Sequence, residues 1–168
     1  MDNNEFNRRI RYALRLDDAE TVRLIQMGGQ WVSLEQAASF RCKDDEPDFL
    51  ACPDDVLLAL LDGLILDRRG PPPERADAPD ASKTGTKPAK EPAGAVPAVN
   101  NNLVLKQLRI ALALRSDDIY TLMLAGGGKV GKAEVGAFFR SPEARNYRRC
   151  GDQAVRWFLS GLAAQRGQ

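Results

Sequence analysis

Slid along itself by 98 residues, the chain lays positions 3–65 over 101–163 without a gap, and 16 of the 63 aligned pairs are identical. That self-similarity constrains the fold more than any other feature, because a repeat must keep both its core side chains and its backbone punctuation. The shared apolar pairs are Ala13 with Ala111, Leu14 with Leu112, Leu24 with Leu122, Val32 with Val130, Phe40 with Phe138, Leu61 with Leu159 and Leu64 with Leu162. Gly28, Gly29 and Gly63 recur as Gly126, Gly127 and Gly161, while Cys52 and Asp54 recur as Cys150 and Asp152.

Three segments follow: a first repeat over 1–70, a linker over 71–99 and a second repeat over 100–168. The linker holds seven of the ten prolines and almost no large apolar side chains. It cannot bury enough surface to offset its ordering entropy, so a disordered Pro/Ala-rich tether is expected.

Inside each repeat the apolar spacing is helical. Phe6, Ile10, Ala13 and Leu14 mark a first helix, as do Val104, Leu108, Ala111 and Leu112. Asp18 or Ser116 is the expected cap of a second helix, which the glycine pair ends. Ser33 with Gln36, or Gly131 with Glu134, opens a third helix carrying Phe40 or Phe138. After a polar loop, Asp54 or Asp152 is the expected cap of a fourth helix, with the stripe Leu57, Leu60, Leu61, Leu64 or Val155, Phe158, Leu159, Leu162. No stretch alternates as a strand does, so the prediction is an all-α protein of two tandem four-helix units.

Charge separates the copies. Residues 1–70 carry a net −5 and residues 100–168 a net +6, which the whole-chain value of +1 conceals. A dipolar chain of this kind suits docking of the repeats on each other, or contact of the basic repeat with an anionic partner. Histidine is absent, which removes the usual general base near neutral pH, the partner of most nucleophiles and the commonest zinc ligand. No catalytic constellation, metal site or cofactor is expected, and the chain reads as non-enzymatic. Its polar N-terminus and short apolar runs predict a cytoplasmic location with no membrane association.

Several motifs have plainer readings. Gly126 to Ala133, GGGKVGKA, fits the spacing GxxxxGK, but Ala133 replaces the hydroxyl residue, no strand precedes it and the first copy reads GGQWVSLE. A glycine helix stop followed by a turn explains it better. The second and third helices make a poor helix-turn-helix, because the intervening turn is long and helix three lacks a polar reading face. Cys52 and Cys150 precede the fourth helices, where a lowered thiol pKa would permit redox chemistry; the plainer reading is a small buried hydrophobe.

The candidate contact surface lies between Arg140 and Trp157. Arg140, Arg145, Arg148, Arg149 and Arg156 surround Tyr147 and adjoin Trp157, a mixture suited to phosphate contact and stacking. The equivalent loop of the first copy holds Asp44, Asp45, Glu46 and Asp48, and that complementarity serves docking of the repeats or a protein contact equally well. Tyr147 replaces Phe49 and reads as packed beneath its loop. Trp157 replaces Ala59 and lies off the buried stripe, so exposure as a contact and burial against the first helix both stay open. A protein-contact surface on paired repeats is the leading expectation, and nucleic-acid binding through the basic repeat is the alternative.

The segments NRRIRYALRLDDAETVRLIQMGG, LRIALALRSDDIYTLMLAGG and RNYRRCGDQAVRWFLSGL resemble the YehS-like bacterial proteins, a family of small duplicated chains without an assigned function. The most recognisable part is NYRRCGDQ, Asn146 to Gln153; the first copy departs from it with DFLACPDD, and the linker is long for the family. The resemblance implies a bacterial cytoplasmic protein with a helical fold, and it supplies no reaction or ligand.

Overall fold

The computed structural model describes residues 1–70 and 98–167. Most of the expected tether, 71–97, therefore lies outside the described residues; Val99 is half-buried against the core and Asn100 caps the next helix.

The first repeat contains α1 (Asn3–Leu14), α2 (Asp18–Met27), α3 (Leu34–Ser39) and α4 (Asp54–Arg69). The second contains α5 (Asn101–Ala111), α6 (Ser116–Ala125), α7 (Lys132–Phe138) and α8 (Asp152–Arg166). All eight helices obey the offset of 98, and there is no strand among the described residues. The fold is all-α and duplicated, as the repeat requires.

The caps differ in detail from expectation. Asp17, not Asp18, caps α2 by accepting from the Glu20 amide, and Arg115 occupies that position before α6. Pro53 and Gly151 precede α4 and α8, so Asp54 and Asp152 are the first helical residues. Their carboxylates serve a different purpose. Asn3 Nδ2 donates to Asp54 and to the Cys52 carbonyl, while Asn4 donates to the carbonyls of Phe40 and Leu50 and accepts from the Cys52 amide. Asn101 and Asn102 repeat every one of these bonds onto Cys150, Asp152, Phe138 and Arg148. The repeated Asn-Asn pair thus staples the long loop before the fourth helix to the start of the first helix. It satisfies loop carbonyls that regular structure leaves unpaired. Ser33 and Gln36 form the expected capping box; Gly131 caps α7 without a side-chain bond.

The glycines divide their labour. Gly29 and Gly127 adopt φ of +96° and +88°, the left-handed turn that ends the second helix. Gly28 and Gly63 instead allow α2 and α4 to touch backbone to backbone. A Cβ on Gly28 would lie 1.9 Å from the Ala59 carbonyl oxygen, and one on Gly63 would lie 1.8 Å from that of Leu24. Gly126 against Trp157 and Gly161 against Leu122 reproduce the crossing in α6 and α8.

The two repeats share one continuous core. α1 packs mainly along α8, and α5 packs mainly along α4, so each repeat's first helix covers the last helix of the other. Phe6, Ile10, Leu57, Leu61, Leu105, Leu108 and Phe158 are fully buried in this core. Polar links cross between the repeats at the same place. Arg156 reaches both oxygens of Glu5, the N-terminal amine pairs with Asp152 at 2.7 Å, and Gln107 donates to Asp62 at 3.3 Å.

Candidate functional site

The residues between Arg140 and Trp157 do not form one surface. Arg156, on the first turns of α8, is taken up by the first repeat: its Nε lies 2.8 Å from Glu5 Oε1 and its Nη2 3.1 Å from Oε2. Hydrogen bonding to Arg156, supported by Arg9, holds the Glu5 carboxyl at about 2 against the opposing effect of burial. Trp157 is half-buried, with its indole against the Gly128 backbone at the end of α6. Tyr147 is half-buried in the loop, and Arg148 pairs with Glu134 of α7 at 3.1 Å. That leaves Arg140, Arg145 and Arg149 exposed, each without an acidic partner among the described residues. Lys132, the lysine of the GxxxxGK spacing, pairs with Asp117 at 2.7 Å on the surface.

Two features escaped the sequence reading. The first is the turn between α2 and α3. Trp31 is 82% exposed, with Leu34 and Met27 also open to solvent on the same turn. The second copy has Lys129, Lys132 and Ala125 at these positions, so these exposed apolar side chains belong to the first repeat alone. The signal available was Trp31 standing opposite a lysine in the self-alignment.

The second is a cleft of about 780 Å³ at the C-terminal end of α1, floored by the last turns of α3 and α8. Arg8, Arg11, Arg15 and Arg41 line it together with Tyr12, Leu16, Ala38, Cys42, Glu46, Ala163 and Gly167. Arg11 is only 2% exposed; it donates to the Ala37 carbonyl and pairs with Asp18. Tyr12 stands 78% exposed at the rim. The repeat with a net charge of −5 therefore gathers four of its eight arginines in one place.

The cysteines behave as core residues. Cys52 and Cys150 are free and buried, and burial pushes both thiols up to about 12, opposite to the lowering expected near a helix N-terminus. Among the described residues no helix is long and apolar enough to cross a membrane.

A family model described as "Protein of unknown function (DUF1456)" matches residues 3–70 and again 101–167. The chain is also similar to the "Uncharacterized protein YehS" of Escherichia coli strain K12, at 39% identity over 165 residues, covering 98% of this chain and 96% of that protein. No solved structure matches.

Proposed function

The chain belongs to the DUF1456 family of proteins of unknown function, and from its geometry we propose that it is a non-enzymatic binding or regulatory protein that meets a protein partner through the outer face of its paired repeats. The observation that carries this reading is the exposure of Trp31, with Leu34 and Met27 beside it in sequence, on a turn that the other copy makes with lysines. Exposed tryptophan is the side chain most enriched where partners anchor, because a large rigid area is buried at little entropic cost. A buried catalytic carboxylate would argue for an enzyme. Glu5, the strongly shifted carboxyl, has its place explained by Arg156 and Arg9.

The test is affinity capture of partners from native extract by the full chain and by a Trp31→Ala/Leu34→Ala variant, with helicity checked by circular dichroism. Loss of a specific partner from the folded variant supports the reading. Recovery of the same set of partners by both proteins defeats it.

A second reading, nucleic-acid binding, is favoured by Arg140, Arg145 and Arg149, which are exposed and make no ion pair among the described residues. It requires affinity that falls steeply as salt rises, through counterion release. A gel-shift titration with no binding at low salt eliminates it.

A further inference from the structure

We propose that the cleft at the C-terminal end of α1 is an anion site for a small polyphosphate ligand, free or carried by a nucleoside, held by Arg8, Arg11, Arg15 and Arg41. This goes beyond the protein-contact reading and rests on different residues.

The cleft has the size of a small-ligand pocket. Four guanidinium groups line it, against Glu46 in its wall and Asp18, which is shared between Arg11 and Arg41. Planar guanidiniums match phosphate oxygens in pairs, which makes arginine the residue of choice for such a site. Part of the cluster serves the fold, since Arg11 donates to the Ala37 carbonyl at 2.8 Å and Arg8 to the Arg41 carbonyl at 3.5 Å. With its ion pair to Asp18, Arg11 has both terminal nitrogens engaged and keeps Nε, whereas Arg8 uses one nitrogen of a guanidinium that has five donor hydrogens. Arg11 Nε is buried in the cleft wall without a partner, and Arg15 has no acidic partner among the described residues. The positive charge extends further: Arg166 is pushed below its usual pKa first by burial and then by the nearness of Arg68 and Arg15.

The second copy shows what the same backbone does without this cluster. Arg11 is kept as Arg109, but Arg15 becomes Ala113, Arg41 becomes Phe139 and Tyr12 becomes Ile110. There the Arg109 guanidinium stacks 4.6 Å from the Phe139 ring centre and donates Nε to the Leu114 carbonyl at 3.3 Å. The paired arginine is thus held differently, by an aromatic neighbour and the Leu114 carbonyl. In the first copy Arg41 stands there instead and shares Asp18 with Arg11, so two guanidiniums face one carboxylate and the excess positive charge favours an anion. Arg15 holds φ of 58° and Ala113 φ of 52°, so the backbone does not demand arginine there.

Calorimetric titration of the full chain with inorganic pyrophosphate and with adenosine triphosphate tests the site. The Arg15→Ala/Arg41→Phe variant, which installs the other copy's own residues, should keep its melting behaviour and lose affinity for both probes by about tenfold or more. Arg8→Ala gives a second, independent loss. Equal affinity for the two probes assigns the free polyphosphate; tighter binding of adenosine triphosphate, weakened by Tyr12→Ala, assigns the nucleoside form. Either result supports the site. The proposal is overturned if neither probe binds the wild-type chain, or if the double variant binds as wild type does. It is equally overturned if the Arg140→Ala/Arg145→Ala/Arg149→Ala variant loses binding, or if a single-stranded oligonucleotide competes more tightly than either probe.

Discussion

Arg156 of the second repeat grips Glu5 of the first through both carboxylate oxygens, at 2.8 and 3.1 Å. At the positions related by the repeat stand Leu58 and Leu103. One side of a near-symmetric junction is therefore ionic where its mate is apolar. Glu5→Gln removes the carboxylate and leaves Arg156, whose side chain is 35% exposed, without its partner, so it should cost about 1 kcal/mol at pH 7 in a denaturant melt.

The same pair sets an acid limit. Glu5 titrates at about 2 in the folded chain against an ordinary 4.5. A depressed folded pKa contributes stability that is complete above the unfolded value and is lost as pH falls through the folded one. Wild type should therefore weaken relative to Glu5→Gln between about pH 4.5 and 2. Chemical denaturation curves across that window that stay parallel for the two proteins would refute the assignment.

Gly63→Ala and Gly161→Ala should each abolish cooperative folding or cost roughly 3 kcal/mol or more. The new methyl would meet a carbonyl oxygen at 1.8 Å in either copy, and backbone cannot step aside as a flexible side chain can. Gly136→Ala, inside α7 where nothing lies within 4 Å of the added carbon, is the control and should melt no lower than wild type, since alanine favours a helix interior over glycine by about 0.5–1 kcal/mol.

Two buried asparagines of α1 should respond in opposite directions. Asn4 is bonded through both ends of its amide to the loop, so Asn4→Ala should destabilise by about 2–3 kcal/mol. Asn7 is 0% exposed, its amide has no conventional hydrogen bond and only the Cys52 thiol as a polar neighbour, and the other copy holds Leu105 there. Asn7→Leu should be neutral or stabilising by about 1 kcal/mol. Thermal melts of the two variants decide it, and a large loss in Asn7→Leu would show that the amide has an unrecognised duty.

Thiol labelling should be ordered by burial. Cys42, half-exposed, should react first with an alkylating reagent at pH 8, whereas Cys52 and Cys150, held at about 12, should react only as the chain unfolds. Peptide mapping after a short pulse reads this directly; early labelling of Cys150 would contradict the buried placement.

The helices were legible because a self-alignment reports core and punctuation together, and the offset of 98 carries through every element. The repeated asparagines and Asp54 were visible as matches, but their role was not, since it depends on a loop folding back across more than 45 residues to meet them. The arginine cleft was hidden for two reasons. Its members come from one face of α1 and from beyond α3, and a net charge of −5 averages over where the charges lie. Arg156 was misleading in the opposite sense: grouped by sequence with the basic loop, it faces away from it, across the junction to Glu5.

Because α1 lies along α8 and α5 along α4, each half of the molecule covers only one flank of its own last helix, through α2 or α6, and leaves the other flank to its twin. A single unit expressed alone would present an oily flank and would have to borrow a lid from a second molecule, so trimming the gene to one copy ought to yield a pair of chains or a precipitate. Duplication here is less a doubling of parts than a way of making the counterpart arrive with the chain.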